Sequence, residues 1–156
     1  MPTLSLTARI RGTAERTFDV ITDLRGYGRW LDTSADYTGT IDITDGPVRV
    51  GTEYVERSGL GVRRGVVTAM RSPETVTFHQ PMTLRPRLLG VIDSAVTYTL
   101  TESADTVTLQ RDIEITLPPA LKPFAPVVVA RYRKESERTL HALKNFIEAP
   151  QGRPPA

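Results

Sequence analysis

Apolar and polar residues alternate along the N-terminal segment, residues 3–11. The apolar positions share one side of this segment and are Leu4, Leu6, Ala8 and Ile10. A spacing of two predicts a half-buried β-strand. The next segment, residues 13–23, has helical spacing instead, with Thr13 placed to cap the helix and Phe18 on its apolar stripe. A second short helical turn is predicted over residues 27–31.

Strand-like patterns fill the middle of the chain, from residue 35 to residue 116, and Gly, Pro, Asp and Ser separate them. The predicted strands after the first cover residues 37–44, 50–58, 62–70, 75–80, 89–101 and 107–117. The total is seven strands. Because most connections between them are short, the sheet is expected to be mainly antiparallel.

One long helix is predicted at the C-terminal end, over about residues 124–148, where apolar residues recur at spacings of three and four. At 1.5 Å per residue it would extend for about 37 Å, enough to cross the sheet. The sequence therefore predicts one α+β domain over residues 1–149. The Pro-rich residues 150–156 are predicted to form a disordered tail.

Composition excludes several kinds of site. The 156 residues carry a formal net charge of +2, with no Cys and only two His. Disulfides, thiolate sites and a His-based metal cluster are therefore not expected. The scattered basic residues do not favour nucleic acid as a partner. No segment is apolar enough for stable membrane insertion, and no signal peptide is recognisable, so we expect a cytoplasmic protein.

Polar side chains on otherwise apolar strand faces are candidates for ligand contact. Arg111 shares its face with the apolar residues of the last strand, and Ser94 and Tyr98 do so on the strand before it. A buried guanidinium needs an acceptor. Arg111 could bind a carboxylate or polarise a ketone of a ligand, or it could pair with an acid such as Glu53 or Glu56, or extend to the rim of the sheet.

Other candidates share a face on shorter strands. Tyr54 and Glu56 are two residues apart, and a carboxylate beside a cavity could act as a general base. The sequence does not decide whether this face is the inner one. Phe78 is expected on an apolar face, which places His79 on the opposite, more solvated face.

The order of elements resembles the START-like superfamily, also called SRPBCC, whose bacterial members are commonly named polyketide cyclase/dehydrase-like. Local motifs are similar to this family in residues 13–32, 50–52, 72–76 and 143–148. The resemblance implies a helix-grip fold, in which a curved sheet wraps around the C-terminal helix and encloses a cavity for hydrophobic molecules. It does not imply one reaction.

The resemblance also suggests particular site residues. Trp30 resembles the family's aromatic residue near the mouth of the cavity. Aromatase/cyclases of the family carry an arginine and a hydroxyl on the fourth strand, where this chain has Val67 and Gly65, and Arg63 could substitute for that arginine. On the long helix, Tyr132 belongs to the stripe expected to face the cavity.

Three functions follow as hypotheses. The first is binding of a small hydrophobic molecule, such as a lipid, polyketide or aromatic metabolite, by Trp30, Tyr54, Arg63, Phe78, Ser94, Tyr98, Arg111 and Tyr132. The second is a cofactor-independent aromatase/cyclase, dehydratase or isomerase, with Arg111, Tyr98 and Glu56 as candidate catalytic residues. The third is a protein-interaction or membrane-surface module, which predicts a filled core. We expect no cofactor and a monomer or homodimer.

Overall fold

The computed structural model describes residues 2–150, so the predicted tail lies, apart from Pro150, outside the described residues. The helices are α1 (Ala14–Thr22) and α2 (Ala125–Glu148), with short 3-10 helices at Leu24–Arg29, Arg87–Leu89 and Pro119–Phe124. The strands are β1 (Thr3–Arg11), β2 (Thr40–Ile41), β3 (Glu53–Ser58), β4 (Gly61–Arg71), β5 (Thr75–His79), β6 (Met82–Leu84), β7 (Val91–Ser103) and β8 (Thr106–Thr116).

All eight strands form one antiparallel sheet in the order β1-β8-β7-β5-β4-β3-β2, with β6 pairing β4 and β7 beside that path. The α+β helix-grip fold is thereby confirmed. The additional strand is β6. It lies between Pro81 and Pro86, and two prolines so close together are more typical of a loop. Met82 and Leu84 are buried with Thr83 between them, so this short segment also has the spacing of a strand.

The second predicted strand is much shorter than expected. Only Thr40–Ile41 pairs with β3, although the alternation suggested a strand over residues 37–44. Asp42 has a φ of 49°, and this left-handed conformation turns the chain away from extended geometry immediately after the paired residues. The next strand likewise begins at Glu53 rather than at residue 50.

Two hydrogen bonds fix the start of α1. The side chain of Thr13 accepts from the backbone N–H of Arg16 at 3.1 Å, as predicted for the cap. The Glu102 carboxylate on β7 accepts from the backbone N–H of Ala14 at 2.7 Å, a contact between distant parts of the chain. Both bonds satisfy N–H groups that a helix terminus leaves free.

The two halves of α2 have different surroundings, and this difference locates the cavity. Its buried side chains all lie in the C-terminal half and are Ser136, Thr139, Leu140, Leu143 and Ile147. The N-terminal half, residues 125–135, has no fully buried side chain but includes Val128 and Tyr132, which face a cavity. The helix therefore closes the core at one end and covers an open space at the other.

Candidate functional site

The cavity lies between the sheet and the N-terminal half of α2 and has a volume of about 240 Å³. Its apolar wall comes from both the sheet and the helices. The apolar lining includes Leu24, Leu31, Leu60, Phe78, Met82, Leu84, Leu89, Ile92, Val96, Leu121 and Val128. These side chains favour a hydrophobic occupant, since an apolar pocket with a few polar groups is the usual form of a small-molecule site.

Three aromatic rings form one side of the cavity. Phe78 packs edge to face against Tyr54 and against Tyr98, with ring centroids 6.1 Å and 6.3 Å apart. The Tyr54 hydroxyl accepts a hydrogen bond from Gln80 Nε2 at 2.5 Å, and burial raises the pKa of this phenol. Gly65 lies opposite Tyr54 on β4, where the absence of a side chain makes room for the ring.

Arg111 enters the cavity from β8 and binds neutral partners. Its Nε donates to Ser136 Oγ on α2 at 3.2 Å, and its Nη1 donates to the hydroxyl of Tyr98, the residue opposite it on β7. The guanidinium carbon also lies 5.2 Å from the centroid of the Tyr98 ring. The expected alternative of an ion pair with Glu53 or Glu56 does not occur.

Glu56, Arg63 and Tyr132 form a second polar group on the cavity wall. Glu56 and Arg63 face each other across β3 and β4, and Arg63 Nη1 lies 3.7 Å from Glu56 Oε2. This distance is too long for a good hydrogen bond. Among the described residues, the Tyr132 hydroxyl and Arg63 Nε are buried polar atoms without a hydrogen bond of good geometry.

Burial raises the pKa of the Glu56 carboxyl above its ordinary value, although Arg63 and Arg111 act to lower it. Burial alone would lower the pKa of Arg63, but Glu56 and nearby tyrosine hydroxyls raise it overall. The pair therefore combines a cation that stays charged with a carboxyl that accepts a proton more readily than usual. Such a carboxyl can serve as an acid or a base at moderate pH.

An ion pair and a hydrogen bond fasten one edge of the cavity mouth to α2. Arg131 on α2 contacts Asp36 with Nη2 and Oδ1 at 2.5 Å, whereas the Arg138–Glu135 pair, also at 2.5 Å, lies within α2 itself. Arg138 also donates to the backbone carbonyl of Asp32 at 2.7 Å. These contacts hold the segment after the first 3-10 helix over the cavity. Exposed apolar side chains beside the mouth are Leu88, Phe124 and Val127.

Six of the eight predicted ligand-binding residues lie on the cavity wall. They are Tyr54, Arg63, Phe78, Tyr98, Arg111 and Tyr132. Ser94 does not, because its hydroxyl donates to the carbonyl of Gln80 at 3.0 Å and the side chain is fully packed. Trp30 lies outside as well. It packs on Tyr27, with ring centroids 4.9 Å apart, beside a shallow surface depression along α2.

Sequence reasoning missed several polar residues of the wall. Gln80 and Ser136 hold the side chains of Tyr54 and Arg111, and Tyr27 contributes a ring from the first 3-10 helix. A helical spacing of four from Tyr132 would have indicated Ser136. Gln80 lies two residues after Phe78, so the alternation of the predicted strand over residues 75–80 places it on the face of Phe78, whereas the orientation of Tyr27 depends on chain turns that no periodicity reveals. His79 lies outside this cavity, where its Nε2 is 2.6 Å from Asp93 Oδ1.

Two further findings limit the kinds of site in residues 2–150. No three His, Asp or Glu side chains lie close enough together there to hold a metal ion. In the same part of the chain, neither α-helix has the length and apolar character needed to span a bilayer.

The fold has many relatives among solved structures. A START superfamily protein from Mycobacterium smegmatis is 14% identical, with a TM-score of 0.68 and coverage of 94% of this chain and 97% of that one. The Aha1 dimer from Colwellia psychrerythraea is 17% identical, with a TM-score of 0.68 and coverage of 97% and 100%. DynU16, a putative protein in the dynemicin biosynthetic locus, is 17% identical, with a TM-score of 0.64 and coverage of 94% and 47%. At these identities the likeness shows the fold alone.

Comparison with curated protein sequences gave no match. A sequence model of one family, described as polyketide cyclase / dehydrase and lipid transport, matches residues 1–148. The match spans the whole of the sheet and α2, and it agrees with the START-like fold seen in the structure. The chain belongs to the polyketide cyclase / dehydrase and lipid transport family, and its fold is START-like.

Proposed function

We propose that the protein binds a compact hydrophobic molecule in the cavity between the sheet and α2. The cavity itself is the observation that supports this function. Its volume, about 240 Å³, exceeds the roughly 150 Å³ of an apolar cavity known to hold benzene and is below the usual range for drug-sized ligands. A molecule with a single ring or two fused rings, or a short acyl chain, fits this space better than a sterol does.

The family description supports the same function. It combines polyketide cyclases and dehydrases with lipid transport, activities that have largely hydrophobic substrates or cargo, and it does not single out one reaction. The residues proposed to contact the ligand are those on the wall: Tyr54, Arg63, Phe78, Tyr98, Arg111 and Tyr132. A cytoplasmic location and a monomeric or homodimeric state complete the proposal; the Colwellia relative is described as a dimer.

Filling the cavity from α2 provides a test. Val128 lines the cavity, whereas Ala130, two residues later on the same helix, is exposed. Val128→Trp should therefore block the cavity, and Ala130→Trp adds the same bulk to the surface as a matched control. Native mass spectrometry of the freshly purified proteins reports any co-purified small molecule and its mass.

A defined adduct in the wild type and in Ala130→Trp, but not in Val128→Trp, would support binding in the cavity. An adduct of equal occupancy in all three proteins would place the ligand elsewhere. If no adduct is present, the wild type is titrated with fatty acids, sterols and aromatic polyketides. Absence of saturable binding across that panel would refute the proposed function.

Catalysis without a cofactor is a second candidate function, and Glu56 is the observation that favours it. Its carboxylate lies on the cavity wall and makes no hydrogen bond within the described chain, while its pKa is raised by burial. It could remove a proton from carbon next to a ligand carbonyl. Arg63, which also lines the cavity and keeps its charge, could stabilise the resulting enolate through its guanidinium.

Hydrogen–deuterium exchange at the α-carbon of 2-tetralone, followed by NMR in heavy water, tests this activity. Glu56→Gln should abolish enzyme-dependent exchange while 2-tetralone still binds. Exchange that continues unchanged in Glu56→Gln would remove Glu56 from the mechanism. The third hypothesis, an interaction module with a filled core, does not match the open cavity, although exposed apolar side chains do lie beside its mouth.

A further inference from the structure

Arg111 has no acidic partner, although it is half-buried in the wall of an apolar cavity. Among residues 2–150, no carboxylate oxygen lies within 4.0 Å of its guanidinium. Its two hydrogen bonds go to the neutral hydroxyls of Tyr98 and Ser136. A guanidinium has five N–H donors, so about three remain without an acceptor. Hydroxyl groups orient the side chain but do not neutralise its charge.

The acids that line the cavity are already engaged with other arginines. Asp36 pairs with Arg131 at 2.5 Å, and Glu135 pairs with Arg138 at 2.5 Å. Glu56, the acid inside the cavity, faces Arg63 at 3.7 Å. Pairing along the wall therefore leaves no acid for Arg111.

Counting the charges in the interior gives a surplus. Arg63 and Arg111 contribute two positive charges, and Glu56 contributes at most one negative charge. The interior is left with at least one positive charge in surroundings of low polarity. Charges of this kind are strongly unfavourable unless they are paired, which makes a ligand anion the natural counterion.

The form of the site favours a carboxylate over other anions. A guanidinium presents parallel N–H groups that match the two oxygens of a carboxylate. With Glu56 ionised, a single uncompensated charge suits a monoanion better than a phosphate ester, which carries nearly two charges at neutral pH. The cavity volume of about 240 Å³ leaves room for a small apolar body behind the carboxylate.

We propose that the ligand is a compact apolar carboxylic acid, bound as its anion, with the carboxylate on Arg111 and the apolar body against the aromatic side of the cavity. This inference rests on the proposed binding function and specifies the chemical class of the ligand. Tyr98 and Ser136 are positioning residues in this arrangement, because they hold the guanidinium by hydrogen bonds. A neutral ketone or amide would accept a hydrogen bond from Arg111 but would leave its charge uncompensated.

Matched pairs of probes separate charge from shape. Benzoate, 2-naphthoate and decanoate are each compared with the primary amide of the same acid, using isothermal titration calorimetry on the full chain. At least one carboxylate should bind about tenfold or more tightly than its amide. Arg111→Gln should weaken that carboxylate by roughly 10- to 100-fold and change the amide by less than about threefold, in line with the loss of a charge-assisted bidentate contact.

Three variants control the experiment. Arg133→Gln removes the same charge from an exposed position that does not line the cavity, and it should leave carboxylate binding within about twofold. Arg111→Lys keeps the charge without the paired N–H groups and should give an intermediate affinity. Glu56→Gln removes the competing acid and should tighten carboxylate binding. Circular dichroism and thermal unfolding establish that each variant is folded.

The outcomes distinguish this inference from the proposed function. Binding of amides or other neutral compounds as tightly as carboxylates, with equal effects of Arg111→Gln on both, overturns the inference and leaves hydrophobic binding intact. If no acid, no amide and no member of the apolar panel binds, the proposed function fails together with the inference. Carboxylate binding that survives both Arg111→Gln and Arg111→Lys unchanged would place the anion elsewhere and overturn the inference.

Discussion

Replacing Gly65 by alanine tests how the aromatic side of the cavity is built. Gly65 faces Tyr54 across the β3–β4 pair, and a Cβ at this position would lie 2.6 Å from the Cε1 and Cε2 atoms of Tyr54 and closer still to Cζ. Tyr54 is 1% exposed. Its ring can relieve this overlap only by moving toward the cavity, which disturbs the hydrogen bond from Gln80 and the edge contact with Phe78.

Three contributions determine the expected change in the free energy of unfolding for Gly65→Ala. Overpacking of a well-packed site costs about 1–3 kcal/mol, and loss of the hydrogen bond between Gln80 and Tyr54 adds about 1 kcal/mol. Alanine reduces the entropy of the unfolded chain and returns about 0.4–1 kcal/mol. The net loss for Gly65→Ala is therefore about 1–3.5 kcal/mol. For a domain of this size, a loss of about 2 kcal/mol lowers the Tm by roughly 4–8 °C.

Urea denaturation of five proteins measures this effect: the wild type, Gly65→Ala, Gly28→Ala, Tyr54→Leu and the double variant Tyr54→Leu/Gly65→Ala. Gly28→Ala is the matched control, because a Cβ there meets no atom within 4 Å, and it should change stability by less than about 0.5 kcal/mol. In a Tyr54→Leu background the ring is gone, so adding Gly65→Ala should cost little, which gives a large coupling energy between the two positions. A full-sized cost that persists in the Tyr54→Leu background, or no cost in the wild type, would refute the steric argument.

Three further predictions concern buried charge and the excluded tryptophan. Burial raises the pKa of Glu56 in the folded chain, so the stability that depends on this group is greatest below its ordinary pKa of 4.5 and falls as pH rises through the folded-state pKa. Urea midpoints should therefore decline more steeply with pH for the wild type than for Glu56→Gln. Parallel curves for the two proteins would contradict this prediction. Trp30→Phe should leave affinity for a cavity ligand within about twofold by calorimetry, since Trp30 packs outside the cavity; a tenfold loss would show that it contacts the ligand. Arg111→Met should raise the stability of the ligand-free protein by about 1–2 kcal/mol in urea titrations, because it removes an unpaired, half-buried charge; a less stable variant would show that its hydrogen bonds outweigh that charge.

Alternation predicted which side chains of the last two strands share an apolar face, because a side-chain period of two fixes the face without any knowledge of the fold. Tyr98 and Arg111 therefore lie where the sequence placed them, and the register of β7 and β8 sets them opposite each other. Ser94 shares the face of Tyr98 but lies four residues earlier along the strand, where it bonds the carbonyl of Gln80. The alternation of side chains shows on which face of a strand a residue lies. Whether that residue reaches the cavity also depends on its position along the strand and on the curvature of the sheet.

The pairing of Glu56 with Arg63 was available from the sequence but was not recognised. The short turn at Gly59 and Leu60 pairs Ser58 with Gly61, and this register places Glu56 opposite Arg63. The position of Trp30 could not be derived in the same way. It depends on the direction in which the first 3-10 helix leaves α1, and that direction is set by packing against residues distant in the sequence.

Arg111 differs from the other arginines that line the cavity because it is partly shielded from water and has no acidic partner within residues 2–150. This difference supports a role for Arg111 in binding a ligand. Arg131 has Asp36 at the mouth, Arg63 has Glu56 inside, and Arg85 is exposed to water. Arg111 is half-buried and has only hydroxyl partners, although pairing stabilises a charge more in the interior than at the surface. An apolar residue at this position would match its neighbours on the same face of β8, Leu109 and Ile113, and would need no counterion. An unpaired charge at Arg111 lowers the stability of the ligand-free protein, and this loss has a physical reason if a ligand supplies the missing negative charge. Binding of that ligand would then stabilise the folded state, and tighter binding would stabilise it more.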